Sequence, residues 1–244
     1  MNPVIKKYSD NPEVARSFAS EFVSKLHTLA ANQDLITVSL SGGSTPKLLF
    51  QVLAEEHADA VDWTKVHFFW GDERCVAPDD AESNYGEAHR LLLSKIKIPS
   101  ANIHRVLGEN EPNIEATRYE TEISSVLPHN RDNIPTFDIM ILGMGADGHT
   151  ASIFPHEICF LESKRICEVA THPESGQKRI TITGQIINAS SCVYFLITGE
   201  SKAPILAEIM QKSGSYRDYP TSHIIPEGEL FFFVDQSAAA QLGE

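Results

Sequence analysis

Residues 35–53, Leu-Ile-Thr-Val-Ser-Leu-Ser-Gly-Gly-Ser-Thr-Pro-Lys-Leu-Leu-Phe-Gln-Val-Leu, carry the pattern that decides the fold. The apolar run Leu35–Leu40 predicts a short strand, and Ser41-Gly42-Gly43 predicts a tight loop directly after it. Beyond Pro46, apolar residues return at helical spacing and predict a helix. The segment is therefore a strand, a glycine loop and a helix, which is the repeating unit of α/β proteins.

The same order of strand and glycine occurs three more times along the chain. The further strands are predicted at Val66–Trp70, Phe137–Leu142 and Cys192–Thr198, each followed directly by a glycine. Helical spacing of apolar residues predicts helices at Asn11–Leu29, Tyr85–Ile96 and Ile114–Leu127, the first capped by Asn11 with Pro12 in its first turn. Strands that alternate with helices predict an α/β fold, a doubly wound, largely parallel sheet flanked by helices.

The remaining segments complete this organisation. Lys178–Thr183 and Leu230–Val234 are further strand candidates, and a small additional β-containing subdomain could be built from Arg165–Ala189. The polar stretch Ser213–Pro220 is predicted to be a helix-free connector. Because no shift in composition marks a boundary, we expect residues 1–244 to form a single α/β domain.

Composition excludes several classes of partner. With 20 Lys and Arg against 33 Asp and Glu, the formal net charge of −13 disfavours nucleic acids and anionic membranes. The four cysteines form no C-x-x-C pair and predict reduced thiols. The amino terminus lacks a secretory apolar region, and no apolar run approaches the ~20 residues of a membrane span. These features predict a cytoplasmic protein; they leave the oligomeric state open and are compatible with a monomer.

The polar residues of the four glycine loops predict one site. Ligands of open α/β sheets bind beyond the carboxyl ends of the strands, where loops lead into helix N-termini. The residues expected there are Ser41, Gly42, Gly43, Ser44 and Thr45 from the first loop, Asp72 and Arg74 from the second, Asp147 and His149 from the third, and Ser201 and Lys202 from the fourth.

Two of these loops favour an anionic ligand. The loop Ser41–Pro46 offers backbone N–H groups and hydroxyls before a helix, which suits a phosphate, although it lacks the lysine of a nucleotide P-loop. Lys202 lies at a helix start, where a cation opposes the helix dipole, and an anion would resolve that conflict. In the cluster Asp72-Glu73-Arg74, an internal salt bridge and a substrate contact are both open.

The segment Gly143–Thr150 carries the clearest chemical signal. It contains G-x-G-x-x-G after a strand, the dinucleotide pattern, but it lies past mid-chain and Asp147 would face the pyrophosphate. It also places His149, which can exchange a proton near neutral pH, in a strand-end loop beside Asp147; this predicts a general base. The histidines and cysteines show no metal-ligand spacing, so we expect a mechanism without metal or cofactor.

Five motifs resemble the 6-phosphogluconolactonase family in order and approximate spacing. They are Ser41-Gly-Gly-Ser-Thr-Pro46, Gly71-Asp-Glu-Arg74, Gly143-x-Gly-x-Asp-Gly-His-Thr-Ala-Ser-Ile-Phe-Pro155, Arg179-Ile-Thr-Ile-Thr183 and Thr198-Gly-x-x-Lys-Ala203. The resemblance spans nearly the whole chain. It implies a fold shared with glucosamine-6-phosphate deaminase and hydrolysis of 6-phospho-D-glucono-1,5-lactone in the pentose phosphate pathway without a cofactor.

The resemblance also implies roles for individual residues. His149 is expected to be the catalytic base with Asp147 as a supporting carboxylate, Ser44, Thr45 and Lys202 to contact phosphate, and Arg74 and Arg179 to bind substrate. The chain departs from the family pattern at His156, where the family usually has glycine. Two alternatives remain: a glucosamine-6-phosphate deaminase/isomerase, whose loop would carry a carboxylate where this chain has Phe154, and a non-catalytic sugar-phosphate-sensing domain.

Overall fold

The computed structural model describes residues 3–243. Its strands are β1 (Val4–Tyr8), β2 (Ile36–Leu40), β3 (Val66–Trp70), β4 (Asp72–Arg74), β5 (Ile139–Leu142), β6 (Cys167–Thr171), β7 (Lys178–Ile182), β8 (Cys192–Ile197) and β9 (Glu229–Asp235). Its α-helices are α1 (Asn11–Ala30), α2 (Ser44–Glu56), α3 (Asn84–Leu91), α4 (Pro112–Val126), α5 (Gly184–Ala189) and α6 (Ala203–Gln211). Within residues 3–243, no helix combines the length and the apolar character that crossing a bilayer requires.

Six strands form a parallel sheet in the order β1-β9-β8-β5-β2-β3. Its strands β2, β5 and β8 are buried along their whole length, as their runs of apolar residues predict. Alternate residues point to opposite faces, so Ile139 and Ile141 join one core, with α1, α2 and α3, while Met140 and Leu142 join the other, with α4, α5 and α6. The predicted doubly wound, largely parallel α/β fold is confirmed.

The order of strands reverses between β2 and β5. From β2 the chain proceeds to β3 on one side, whereas β5, β8 and β9 follow on the other side. The loops after Leu40 and Leu142 therefore leave the sheet side by side in opposite directions, which opens a crevice at its carboxyl edge. Such switch points are where doubly wound sheets bind ligands.

A second, three-stranded antiparallel sheet has the order β4-β7-β6. It confirms a small β-containing unit within Arg165–Ala189, but it also recruits Asp72–Arg74, which we predicted to be a loop. That prediction is wrong because Gly71 bridges the two sheets: its N–H donates to Leu40 and its carbonyl accepts from Ile182. The bridge places Asp72 opposite Thr181.

Three local predictions also need correction. Asp10, rather than Asn11, caps α1 and accepts a hydrogen bond from the Glu13 N–H at 2.8 Å. The helix predicted over Tyr85–Ile96 begins at Asn84 and breaks at Leu92, whose dihedral angles leave the helical range; a short 3₁₀ helix follows.

The third correction concerns Ser213–Pro220. This stretch is not helix-free, because it contains the 3₁₀ turn Tyr216–Asp218, closed by a hydrogen bond from the Asp218 N–H to the Ser215 carbonyl. A further 3₁₀ helix begins at Pro220.

Candidate active site

A cleft of about 250 Å³ lies at the carboxyl edge of the sheet, at the switch point between β2 and β5. It is lined by Ser41, Gly42, Gly43, Asp72, Arg74, Asn84, Gly143, Met144, Gly145, His149, Ala151, Arg179 and Lys202. The lining thus combines the loops that follow β2 and β5 with two strands of the small sheet and the start of α6. Residues far apart in sequence meet here because parallel strands bring their carboxyl ends to one edge.

His149 is held by a tight turn after β5. The Gly145 N–H donates to the His149 carbonyl at 2.8 Å, and Gly148 adopts a positive φ of 80°. Gly145 cannot carry a side chain, because an added Cβ would lie 2.2 Å from Nδ1 of His149. The imidazole therefore packs directly on backbone, which fixes its position at the cleft.

Asp147 sets the tautomer of this imidazole. Its Oδ1 lies 2.6 Å from His149 Nδ1 and also accepts from the His149 N–H at 3.1 Å. Partial burial acts to raise the pKa of Asp147, but the hydrogen bonds and charge of His149 outweigh it and lower the pKa to about 2. Because an ionised carboxylate only accepts hydrogen bonds, Nδ1 carries a proton, and Nε2 is the ring nitrogen left to exchange a proton at the cleft.

The Phe154 ring lies behind two groups of the cleft lining, the His149 imidazole and the Arg179 guanidinium. The side chain is buried, with its ring centroid 4.8 Å from that of His149 and 5.6 Å from the guanidinium carbon of Arg179. The Phe154 ring thus packs against both the Arg179 guanidinium and the His149 imidazole.

Three cations line the cleft without carboxylate partners: Arg74, Arg179 and Lys202. None of the ion pairs among residues 3–243 includes any of them. Burial lowers the pKa of Lys202 despite the charge of Asp147, and it lowers that of Arg179 despite the charge of Asp72. Both shifts mean that the positive charge is incompletely compensated, so a bound anion would be stabilised here.

Asp72 is engaged inside the protein. Its Oδ2 accepts a hydrogen bond from Ser152 Oγ at 2.6 Å, and Arg179 Nη1 donates to the same hydroxyl at 3.4 Å. Ser152 therefore links the carboxylate to the guanidinium. Arg74 donates through Nη1 to the Glu82 carbonyl at 2.7 Å, and no hydrogen bond from residues 3–243 reaches its buried Nε. The open alternative of a salt bridge within Asp72-Glu73-Arg74 is not found among the described ion pairs.

The first glycine loop presents the positive end of α2. Gly43 caps this helix with a positive φ of 110°, and no side chain in the described part of the chain caps the first N–H groups. The first turn also has no acidic residue, so nothing there opposes a bound anion. The backbone N–H groups of Ser44 and Thr45 remain to bind a ligand.

The comparisons with known proteins agree with this geometry. A sequence model of the family described as glucosamine-6-phosphate isomerases/6-phosphogluconolactonase matches residues 9–232. The chain belongs to this family. The resemblance drawn from the five motifs is confirmed.

Individual members of the family match over most of their length. A 6-phosphogluconolactonase of Haemophilus influenzae is 47% identical over 209 residues, covering 85% of this chain and 88% of that protein. The crystal structure of 6-phosphogluconolactonase from Thermotoga maritima has a TM-score of 0.84 at 31% identity, covering 96% and 100% of the two chains. A monomeric glucosamine-6-phosphate deaminase, 20% identical with a TM-score of 0.83 over 98% and 99%, shares the fold.

The structure brings most of the predicted site residues of this family member together. Those in the cleft lining are Ser41, Gly42, Gly43, Asp72, Arg74, His149, Arg179 and Lys202. Asp147 contacts His149 from behind. Ser44 lines an adjoining cavity that shares Gly42, Gly43 and Arg74 with the cleft. Thr45 Oγ1 is paired with Thr198 Oγ1 at 2.8 Å, and Ser201 is exposed outside the lining.

Sequence reasoning missed Asn84 and Ser152. Asn84 follows Ser83, which caps α3 by accepting a hydrogen bond from the Gly86 N–H, so the Ser-Asn pair before the predicted helix was an available signal. Ser152 lies within the quoted histidine motif, but its approach to Asp72 depends on the packing of the small sheet, which no local pattern predicts.

Proposed function

We propose that the chain hydrolyses 6-phospho-D-glucono-1,5-lactone to 6-phosphogluconate, with His149 as the general base. The observation that carries the proposal is an imidazole whose Nδ1 is held by Asp147, in one cleft with three cations that form no ion pair within residues 3–243. Relatives of the chain at 47% identity and below are named for this activity. We place the reaction in the pentose phosphate pathway, without a metal or cofactor, and assign it to residues 1–244 as one catalytic domain in the cytoplasm.

The cations and α2 bind the substrate phosphate in this proposal. Lys202 and Arg74 provide charge, and the N–H groups of Ser44 and Thr45 provide directed donors at the positive end of α2. Thr45 contributes its backbone, because its hydroxyl is committed to Thr198. Binding the phosphate at one end of the cleft brings the lactone carbonyl toward His149 and Arg179.

The first chemical step is attack by water. The water oxygen forms a bond to C1 of the lactone while one water proton passes to Nε2 of His149. The C1 carbonyl electrons move to its oxygen, which becomes an alkoxide stabilised by the guanidinium groups of the cleft. Asp147 stabilises the imidazolium through the Nδ1–H hydrogen bond and keeps the ring oriented.

The second step opens the ring. The alkoxide re-forms the carbonyl, the bond between C1 and the ring oxygen breaks, and the imidazolium returns its proton to that oxygen. The ring oxygen becomes the C5 hydroxyl, and the new carboxylic acid loses its proton to solvent. His149 returns to its neutral state, so no covalent intermediate with the protein is required.

A deaminase or a non-catalytic sensor is a weaker interpretation. The buried Phe154 ring occupies the position where the deaminase loop would carry its carboxylate, and it packs at a tilt against His149 instead. A sensor does not require a histidine whose tautomer is set by a carboxylate.

A coupled assay tests the function. Lactone generated from glucose 6-phosphate should disappear faster with the protein than without it, after subtraction of spontaneous hydrolysis. Incubation with glucosamine 6-phosphate should release no ammonia. Stoichiometric ammonia, together with lactone loss at the spontaneous rate, would replace the lactonase assignment by the deaminase.

A further inference from the structure

Asn84 is a buried polar residue of the cleft that the mechanism above does not use. It is the first residue of α3, its side chain is 5% exposed, and it lines both the cleft and the adjoining cavity. Its backbone N–H donates to Glu73 Oε1 at 2.8 Å, and Glu73 is itself buried. The residue is therefore rigidly placed beside the catalytic groups.

The orientation of the Asn84 carboxamide follows from its partners. Nδ2 lies 2.9 Å from the carbonyl oxygen of Asp72, which can only accept, so this end of the carboxamide is the NH₂ group. Oδ1 therefore points the other way, across the glycine loop. A Cβ added to Gly42 would lie 1.9 Å from this oxygen, which shows how closely the carboxamide covers the loop.

Asn84 Oδ1 is an uncommitted acceptor. No hydrogen bond among residues 3–243 ends on it, and it is not among their fully buried unpaired atoms. The cleft otherwise offers three cations, which are donors. Of its other acceptors, His149 Nε2 receives the water proton in the proposed mechanism, and Asp72 accepts from Ser152 through Oδ2 and lies 3.5 Å from Asn84 Nδ2 through Oδ1. The hydroxyls of a sugar ring are donors, and a ligand whose hydroxyls enter the cleft needs an acceptor of this kind.

We propose that Asn84 binds a hydroxyl of the sugar phosphate through Oδ1 and so distinguishes polyhydroxylated phosphate esters from inorganic phosphate. This assignment rests on the proposed function, because that function supplies the class of ligand. Asn84 acts in it as a specificity residue beside the phosphate loop, and His149 remains the base.

The test compares Asn84→Ala with Asn102→Ala as a matched control. Asn102 is also buried and donates through Nδ2 to the carbonyls of Thr64 and Val66, outside the cleft. Both variants lose amide-to-carbonyl hydrogen bonds, so similar shifts in Tm are expected. Calorimetric titrations with 6-phosphogluconate and with inorganic phosphate then separate recognition of hydroxyls from binding of phosphate, and kcat/KM for the lactone is measured in parallel.

We expect Asn84→Ala to raise the Kd of 6-phosphogluconate about 3- to 10-fold, as for loss of one neutral hydrogen bond, and to lower kcat/KM by a similar factor. The Kd of phosphate should change less than twofold, and Asn102→Ala should leave all three values unchanged. If Asn84→Ala does not fold, Asn84→Ser, which is too short to reach across Gly42, carries the same expectation.

Two results would overturn the proposal. An equal rise in the Kd of 6-phosphogluconate and of phosphate in Asn84→Ala would show that Asn84 only supports the phosphate loop. An unchanged Kd of 6-phosphogluconate would show that Asn84 binds no hydroxyl. Failure of the proposed function has a different signature, because a wild-type protein that leaves the lactone untouched can still bind 6-phosphogluconate. The titrations therefore test the role of Asn84 in binding independently of lactone hydrolysis.

Discussion

The imidazole of His149 is the group on which the proposed chemistry depends. Replacing it by glutamine keeps a polar side chain in the cleft but removes the atom that takes the proton. We expect His149→Gln to lower kcat about 10²- to 10⁴-fold, the usual contribution of a general base, with little change in KM where KM reports binding. Initial rates corrected for spontaneous hydrolysis measure the effect.

His156 is the matched control for that substitution. Its ring stacks on Phe154 at 5.8 Å and its Nε2 lies 3.8 Å from Glu157, outside the cleft lining. His156→Gln should keep most of the activity. A collapse of activity in His156→Gln, with His149→Gln near the parental rate, would transfer the role of base to the Phe-Pro-His segment.

A substitution of Lys202 tests the anion site. Burial lowers its pKa, and none of the described ion pairs includes it, so a phosphate would supply the missing counter-charge. Lys202→Ala should weaken substrate binding by roughly 1.5–3 kcal/mol, the range for hydrogen bonds to charged groups, and should keep the fold. An unchanged KM, together with unchanged inhibition by inorganic phosphate, would place the anion elsewhere.

Among elements, the connection from β4 to α3 is organised by one buried carboxylate. Glu73 accepts from the backbone N–H groups of Arg74, Asn84 and Tyr85 and from the hydroxyl of Ser83. Burial raises the pKa of Glu73 in spite of these donors. Removing the carboxylate leaves one buried and two partly buried N–H groups and the buried Ser83 hydroxyl without this acceptor, so we expect Glu73→Ala to lower the free energy of unfolding by about 3 kcal/mol or more.

Denaturant unfolding measures this loss, with Glu82→Ala as its control on the same segment. Among residues 3–243, only the Gln177 amide donates to the Glu82 carboxylate, in an exposed hydrogen bond, and the Glu82 carbonyl that binds Arg74 is unaffected by the substitution. A change within about 0.5 kcal/mol is expected for Glu82→Ala. Equal midpoints for the two variants would show that the Glu73 carboxylate does not stabilise this connection.

The elements that sequence patterns predicted are those whose burial is either periodic, as in the helices, or continuous, as in the central strands. In α1, Ala15, Phe18, Phe22 and Leu26 are all buried as their spacing predicts, and the central strands follow from their apolar runs. Strand β1 was missed because Lys6 and Lys7 make its short edge segment look polar. Strand β4 was missed because its three polar residues pair with β7, a contact between segments about a hundred residues apart.

The same distinction applies to the site. Glycines followed by polar residues at strand ends identified the loops of His149 and Lys202, because such loops have a fixed place in a parallel sheet. The partners of these residues could not be read from the sequence. Asp72 contacts Ser152, and Asn84 covers Gly42. Both contacts depend on how the small sheet and α3 pack against the large sheet.

For the molecule as a whole, we predict that activity needs no metal ion. Among residues 3–243, no group of three or more His, Cys, Asp and Glu side chains is arranged to hold one. Prolonged dialysis against EDTA should therefore leave the lactonase rate within error of the untreated protein. Loss of the rate, with recovery on adding zinc or magnesium, would contradict this prediction.

The parallel pairing of β1 with β9 has a consequence for folding during translation. Val4 lies opposite Phe231 and Tyr8 opposite Asp235, and within residues 3–243 β9 is the only sheet neighbour of β1, so β1 leaves the ribosome long before its partner. Helix α1 is affected too, since Phe18 packs its ring against Phe233 at 5.2 Å. During translation, β1 therefore stays unpaired while the central strands form, and its pairing with β9 is a late step of folding.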